Sequence, residues 1–193
     1  LFRSANLLAD MRQGHVSMTD ESLFTVGKNV ATTEGAVVFE NEQFQLIEYK
    51  PLTAKVFEKP FLMVPPCINK FYILDLQPDN SVIRYAVSQG HRTFVVSWRN
   101  PDESQAHKSW DDYIEDGVLK AVSTVQDICE APQINVLGFC VGGTMLSTAM
   151  AVLAARHARE HGQPQAAKPR SRAAAAKTGS KTAAAKAQAQ VFP

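Results

Sequence analysis

Six residues, Gly138-Phe139-Cys140-Val141-Gly142-Gly143, constrain the fold more than any other stretch of the chain. They follow a short apolar run, Ile134-Asn135-Val136-Leu137, and precede a helix-like segment from Thr144 to Arg156. Strand, tight turn and helix in that order put a G-x-C-x-G box at the turn. This is the pattern of a nucleophile elbow, with cysteine where serine is commoner. Gly138 and Gly142, two residues either side of Cys140, leave room for a turn too sharp for side chains, and the nucleophile accepts a strained backbone. The turn lifts the sulfur above the sheet edge at a helix N-terminus. Unpaired N–H groups and the helix dipole favour negative charge there, including an oxyanion formed beside the sulfur. The competing reading is a glycine-rich turn holding an inert buried cysteine. The flanking strand and helix are the context the motif requires, and they favour the nucleophile.

A chain of 193 residues holds one ordinary domain, or a domain and a tail, and 45% apolar content is enough for a packed core. Three cysteines, Cys67, Cys129 and Cys140, are an odd number without regular spacing, which argues against a disulfide framework and for a reducing compartment. None has zinc-site spacing, so no metal is expected. No apolar run approaches the ~18 residues of a membrane span, and no signal peptide opens the chain. The first residue is Leu1 rather than Met, as in a piece of something longer.

Charge divides the chain. Residues 157–193 carry seven Lys/Arg against the single acid Glu160, a balance of +6, and the overall +1 leaves −5 for residues 1–156. Ala, Lys, Gln, Pro and Ser dominate that basic end, which predicts a disordered tail from residue 157 onward. Before it, residues 1–35 form an N-terminal helical segment, with helical pieces at Asn6–Arg12 and Thr19–Val26, the second capped within Thr19-Asp20-Glu21-Ser22. Val37–Glu40 and Phe44–Tyr49 alternate about Asn41-Glu42 as a hairpin. Phe61–Val64, Thr93–Trp98 and Ile134–Leu137 read as strands, Asn69–Gln89 as mostly helix broken near Pro78, and Trp110–Glu130 as one long helix. This alternation predicts right-handed βαβ units and a mostly parallel sheet covered on both faces. The fold class expected for residues 36–156 is α/β, a partial α/β-hydrolase core truncated after the elbow helix.

Several long strings sharpen this expectation. They are Asn29–Asn41, Val64-Pro65-Pro66-Cys67-Ile68-Asn69-Lys70, Tyr72–Pro78, Val96–Pro101, Trp110–Ile114 and Asn135–Thr144. On them, residues 1–156 closely resemble the class I polyhydroxyalkanoate synthases, which polymerise (R)-3-hydroxyacyl-CoA into storage polyester. The resemblance implies that Cys140 is the acyl-accepting nucleophile. It also implies that the backbone N–H groups of Val141 and Ile68 form the oxyanion hole and that Cys67 lines the site without attacking. Cys67 also reads as a small apolar filler beside the elbow, which is the reading preferred. The family implies a homodimer, a polyester granule surface as partner, a cytoplasmic, granule-associated location, and no cofactor beyond the CoA of the substrate. Cysteine suits this chemistry: thiolate attack on a thioester exchanges like for like, and the acyl-cysteine keeps the energy that lets a second substrate's hydroxyl extend the polymer.

The sequence departs from an α/β-hydrolase triad, in which Asp/Glu and then His follow the nucleophile. After Cys140 there is no aspartate, and His157 and His161 lie at or past the end of the elbow helix, roughly 20 Å away at ~1.5 Å per residue. His15, His91 and His107 read as solvated or structural. The isolated chain is therefore expected to be inactive, with the elbow strand exposed as an edge and an apolar sheet face open. Other readings are a non-catalytic remnant that binds synthase or granules, and a cysteine-dependent thioesterase or lactone hydrolase. The basic tail has no aromatics interleaved among its charges, which argues against specific nucleic-acid recognition and leaves only salt-sensitive phosphate binding. Asp75, Asp111 and Asp112 read as structural, and Trp98 and Trp110 as packing in or near the core rather than holding substrate.

Overall fold

The computed structural model describes residues 2–14, 16 and 18–161. His15 and the tail beyond residue 161 lie outside the described residues. Five strands form the main sheet: β1 (Gly35–Glu40), β2 (Phe44–Tyr49), β3 (Phe61–Val64), β6 (Thr93–Trp98) and β7 (Asn135–Gly138). Their order is β1-β2-β6-β3-β7. The first two pair as the expected antiparallel hairpin, closed by Asn41, whose Oδ1 accepts from the N–H groups of Gln43 (2.8 Å) and Phe44 (2.9 Å). β2 lies antiparallel to β6, while β6, β3 and β7 are mutually parallel, so β2 alone runs against the other four.

The connections explain why both sheet faces are covered. The chain moves from β3 through α2 (Val82–Ser88) to β6 on one side, then back across β3 to β7 on the other. Right-handed crossovers in opposite directions must use opposite faces. Side-chain alternation agrees. Leu62, Val64, Phe94, Val96, Trp98, Phe44 and Leu46 join Ile114, Val118, Ala121, Val125, Met145 and Ala149 in one core. Met63, Val95 and Tyr49 join Ile83, Ala86 and Val87 in the other.

The return helix runs without a break but changes pitch. It comprises α3 (Trp110–Asp112), a π-helical stretch Tyr113–Leu119 and α4 (Lys120–Cys129). Ser109 starts it with a capping box to Asp112, so Asp111 and Asp112 are first-turn carboxylates as expected. Trp110, expected in or near the core, is instead 43% exposed, because it stands on the outward side of that first turn. Trp98 is buried.

Two helical expectations need correction. Thr19–Val26 makes only a single 3-10 turn, Glu21–Leu23. Asp20, within the expected capping string, accepts from the Ser22 N–H, and Asn29 Oδ1 takes the Thr25 N–H at 2.7 Å, so side chains divert the backbone from helical bonding. Asn69–Gln89 is not mostly helical either. A 3-10 turn (Phe71–Leu74) leads into a ribbon of β4 (Asp75–Gln77) and β5 (Asn80–Ser81), and only Val82–Ser88 is α-helix. Asp75 enforces the ribbon. Its buried carboxylate accepts from Thr33 Oγ1 (2.7 Å), the Thr33 N–H (3.2 Å) and Ser81 Oγ (2.6 Å).

The N-terminal helix α1 (Phe2–Gln13) covers the expected Asn6–Arg12. The elbow helix α5 (Val141–Glu160) runs past Arg156, so residues 157–160 are helix rather than the start of a tail. Among the described residues β7 is an edge, paired only with β3, and Leu137, Met150 and Leu153 are partly exposed beside it. Asp75→Ala is expected to lower unfolding free energy by about 2–3 kcal/mol, since Thr33 and Ser81 would lose a charged, buried acceptor. Urea denaturation would check this, and an unchanged midpoint would show that the ribbon does not depend on Asp75.

Candidate active site

Parallel strands that leave toward opposite faces open a crevice at their carboxyl ends. β3 and β7 are such a pair, in register from Phe61 with Asn135 to Val64 with Gly138. Beyond this last pair lie the two segments singled out in the sequence. On one side Cys140 caps α5; on the other is the loop Pro65–Asn69.

The elbow is as sharp as its glycines require. Cys140 has φ 54° and ψ −124°, one of three non-glycine residues with positive φ among those described. A Cβ on Gly138 would lie 2.6 Å from the Gly143 Cα and 2.8 Å from the Gly142 oxygen. A Cβ on Gly142 would meet the Val64 carbonyl oxygen at 2.0 Å and that of Pro65 at 2.9 Å. Gly138 is thus excluded from carrying a side chain by the elbow itself, and Gly142 by the neighbouring strand end. The Phe139 N–H donates to the Val64 carbonyl (3.1 Å), which ties elbow to β3 on the other side of Cys140. Cys140 is exposed at this turn, and Val141 is the first residue of the helix, where an N–H has no intrahelical acceptor.

The facing loop is a turn. The Asn69 N–H donates to the Pro66 carbonyl (3.2 Å), so Cys67 and Ile68 are its two central residues and their N–H groups are left outside the turn bond. Ile68 is 76% exposed. Cys67 is half-buried and packs against the same core as Val141 and Tyr113. Burial pushes the Cys67 thiol up from its ordinary value, and does the same to Cys129.

No hydrogen bond joins any described histidine to Cys140. His91 lies before β6, at the opposite end of the sheet from the elbow, between the rings of Phe57 (5.0 Å) and Phe61 (5.3 Å). His107 is exposed in the loop after β6, toward Glu42 and Asp112. His157 and His161 lie against each other with tilted rings, 4.1 Å between centroids, at the far end of α5. Among the described residues no cluster of three His, Cys, Asp or Glu is arranged to hold a metal.

One residue at the site had been assigned to packing alone. The buried Trp98 indole donates to the Pro65 carbonyl at 2.8 Å. A tryptophan ending a strand in a core signals that its N–H needs an acceptor, but sequence does not say which one.

Gly142→Ala is expected to destabilise the chain by about 3 kcal/mol or more, because a backbone carbonyl cannot yield to the methyl group. Thermal melting would test it, and a wild-type midpoint would refute the close approach. Iodoacetamide at pH 7 is expected to label Cys140 first, with Cys67 and Cys129 reacting only at higher pH than an ordinary thiol, since raised values leave less thiolate. Peptide mapping across pH 6–10 would check the order.

Comparison with known proteins places the chain. A family model described as alpha/beta hydrolase fold matches residues 60–160, and one described as poly-beta-hydroxybutyrate polymerase (PhaC) N-terminus matches residues 3–86. The poly(3-hydroxyalkanoate) polymerase subunit PhaC of Cupriavidus necator is 64% identical over 151 residues, 78% of this chain and 26% of that protein. The protein of the same name from Rhizobium meliloti is 43% identical over 71% of this chain and 22% of its own length. The poly(3-hydroxyalkanoate) polymerase of Methylorubrum extorquens is 46% identical over 74% and 24%. The chain spans roughly a quarter of the length of these relatives. With the glycine-bounded cysteine elbow, the β1-β2-β6-β3-β7 sheet and both matching models, the chain belongs to the poly(3-hydroxyalkanoate) polymerase family of the alpha/beta-hydrolase fold.

Proposed function

We propose that this chain carries the nucleophile portion of an acyltransferase that polymerises (R)-3-hydroxyacyl-CoA into polyester. The observation behind this reading is the strained Cys140 at the head of α5, set against the turn whose bond leaves the Ile68 N–H outside it. Cys140 Sγ attacks the thioester carbonyl, a C–S bond forms and the carbonyl electron pair moves to oxygen. The N–H groups of Val141 and Ile68 bind that oxyanion. Collapse expels the CoA thiolate, which takes up the proton released by the Cys140 thiol. The hydroxyl of a second substrate then attacks the acyl-cysteine, forming an ester bond and returning the cysteine. Cys67 fills the wall of the site and takes no part in the chemistry.

A base must remove the thiol proton and later the hydroxyl proton. The described histidines do not reach Cys140, so this chain alone does not sustain turnover. A second reading has support in the same observation and in the exposed β7 edge: a non-catalytic piece that binds a complete synthase or a granule surface. A thioesterase role rests on the elbow alone. The intact enzyme is a cytoplasmic, granule-associated homodimer that needs no cofactor besides the CoA of its substrate. Among the described residues no helix is long and apolar enough to cross a membrane.

Incubation with (R)-3-hydroxybutyryl-CoA, followed by thiol assay and intact mass, tests the proposal. No sustained CoA release is expected from this chain. Sustained release that Cys140→Ala abolishes would show that a base is present after all. Release that survives in Cys140→Ala would remove Cys140 from the mechanism.

A further inference from the structure

We infer that Trp98 is a positioning residue for the oxyanion loop, an inference that rests on the acyl-transfer reading of Cys140. Two prolines open that loop, and the second, Pro66, has no N–H with which to hold itself to the sheet. The Val64 carbonyl is taken by the Phe139 N–H. The next carbonyl, Pro65, is bound by a side chain from another strand, the Trp98 indole at 2.8 Å in a buried setting. The same Pro65 oxygen stands 2.9 Å from where a Gly142 Cβ would project. One carbonyl therefore touches the elbow helix, begins the loop that presents Ile68, and receives the indole proton.

The ring itself is held on three sides. Phe44 meets it edge-on at 6.1 Å between centroids, and Tyr113 lies at 5.7 Å. On the third side Gly117 is open: a Cβ there would lie 2.8 and 2.9 Å from two ring carbons. Gly117 and Tyr113 both belong to the π-helical stretch. Local widening of a helix, with a glycine under an indole, is the kind of irregularity that marks functional positions. The arrangement fixes the direction of one N–H bond, and through it the plane of the Pro65–Pro66 peptide ahead of Ile68.

A positioning role predicts loss of oxyanion stabilisation with no loss of nucleophile. Two single-turnover reactions of Cys140 in the full chain separate these at a pH where the thiol is ionised. Acylation by a p-nitrothiophenyl ester of 3-hydroxybutyrate passes through an oxyanion, whereas alkylation by iodoacetamide does not. Trp98→Phe is expected to slow acylation roughly tenfold, less than the 10²–10³ lost when a direct oxyanion donor is removed, and to leave alkylation unchanged. Replacing Trp98 with 3-benzothienylalanine keeps the ring and removes only the N–H, so it covers the case in which Trp98→Phe fails to fold. Equal acylation by the benzothienyl variant and the wild type would overturn the inference and leave the nucleophile reading intact. A wild-type Cys140 that alkylates but never acylates would overturn both. Equal slowing of the two reactions would assign Trp98 to packing.

Discussion

Everything at the C-terminal end of this sheet depends on one close approach, that of the α5 N-terminus to the end of β3. Gly142 sits where any side chain would strike the Val64 carbonyl, and the Phe139 N–H donates to that same oxygen. Between these two anchors the chain must reverse within three residues, and Cys140 takes the unfavourable φ that the reversal demands. The strain is held by the sheet rather than by the loop. It persists because β7 is locked beside β3 over four register pairs.

The same geometry brings the turn Pro66–Asn69 beside the elbow. Parallel strands whose onward connections diverge leave a crevice that no helix fills. Here α2 leaves toward one core and α5 toward the other. The crevice is thus a consequence of strand order, and two strand ends border it: Cys140 at one and the turn of Cys67 and Ile68 at the other.

The parts of this arrangement legible in the sequence were those with local signatures. Gly138 and Gly142 mark the elbow because only glycine fits there, and the hairpin is visible in its alternation around Asn41. The parallel strands and both covered faces follow from element sequence and crossover handedness, whereas the order β1-β2-β6-β3-β7 is set by long-range pairing. What escaped was set by long-range side-chain bonds. The ribbon at Asp75–Ser81 looks helical until Thr33, 42 residues earlier, is seen to bind Asp75. Trp98 looks like filler until its proton is traced 33 residues back to Pro65. The outward Trp110 was misplaced because position within the first turn of a helix decides its face, and hydrophobicity alone does not reveal that phase. The Cys140 role, the oxyanion donors and the polymer chemistry rest on the family and on reasoning about geometry.

The register of β7 on β3 also bears on how the chain comes to be folded. Phe61 and Asn135 are neighbours in the sheet but far apart in the chain, and β6 is made and paired in between. During synthesis the hairpin of β1 and β2, then β6, can assemble while the β3 edge still waits for β7. Pairings that close long loops form late and leave exposed edges until they do. The strained turn at Cys140 therefore hangs on a pairing between segments remote from each other in the chain.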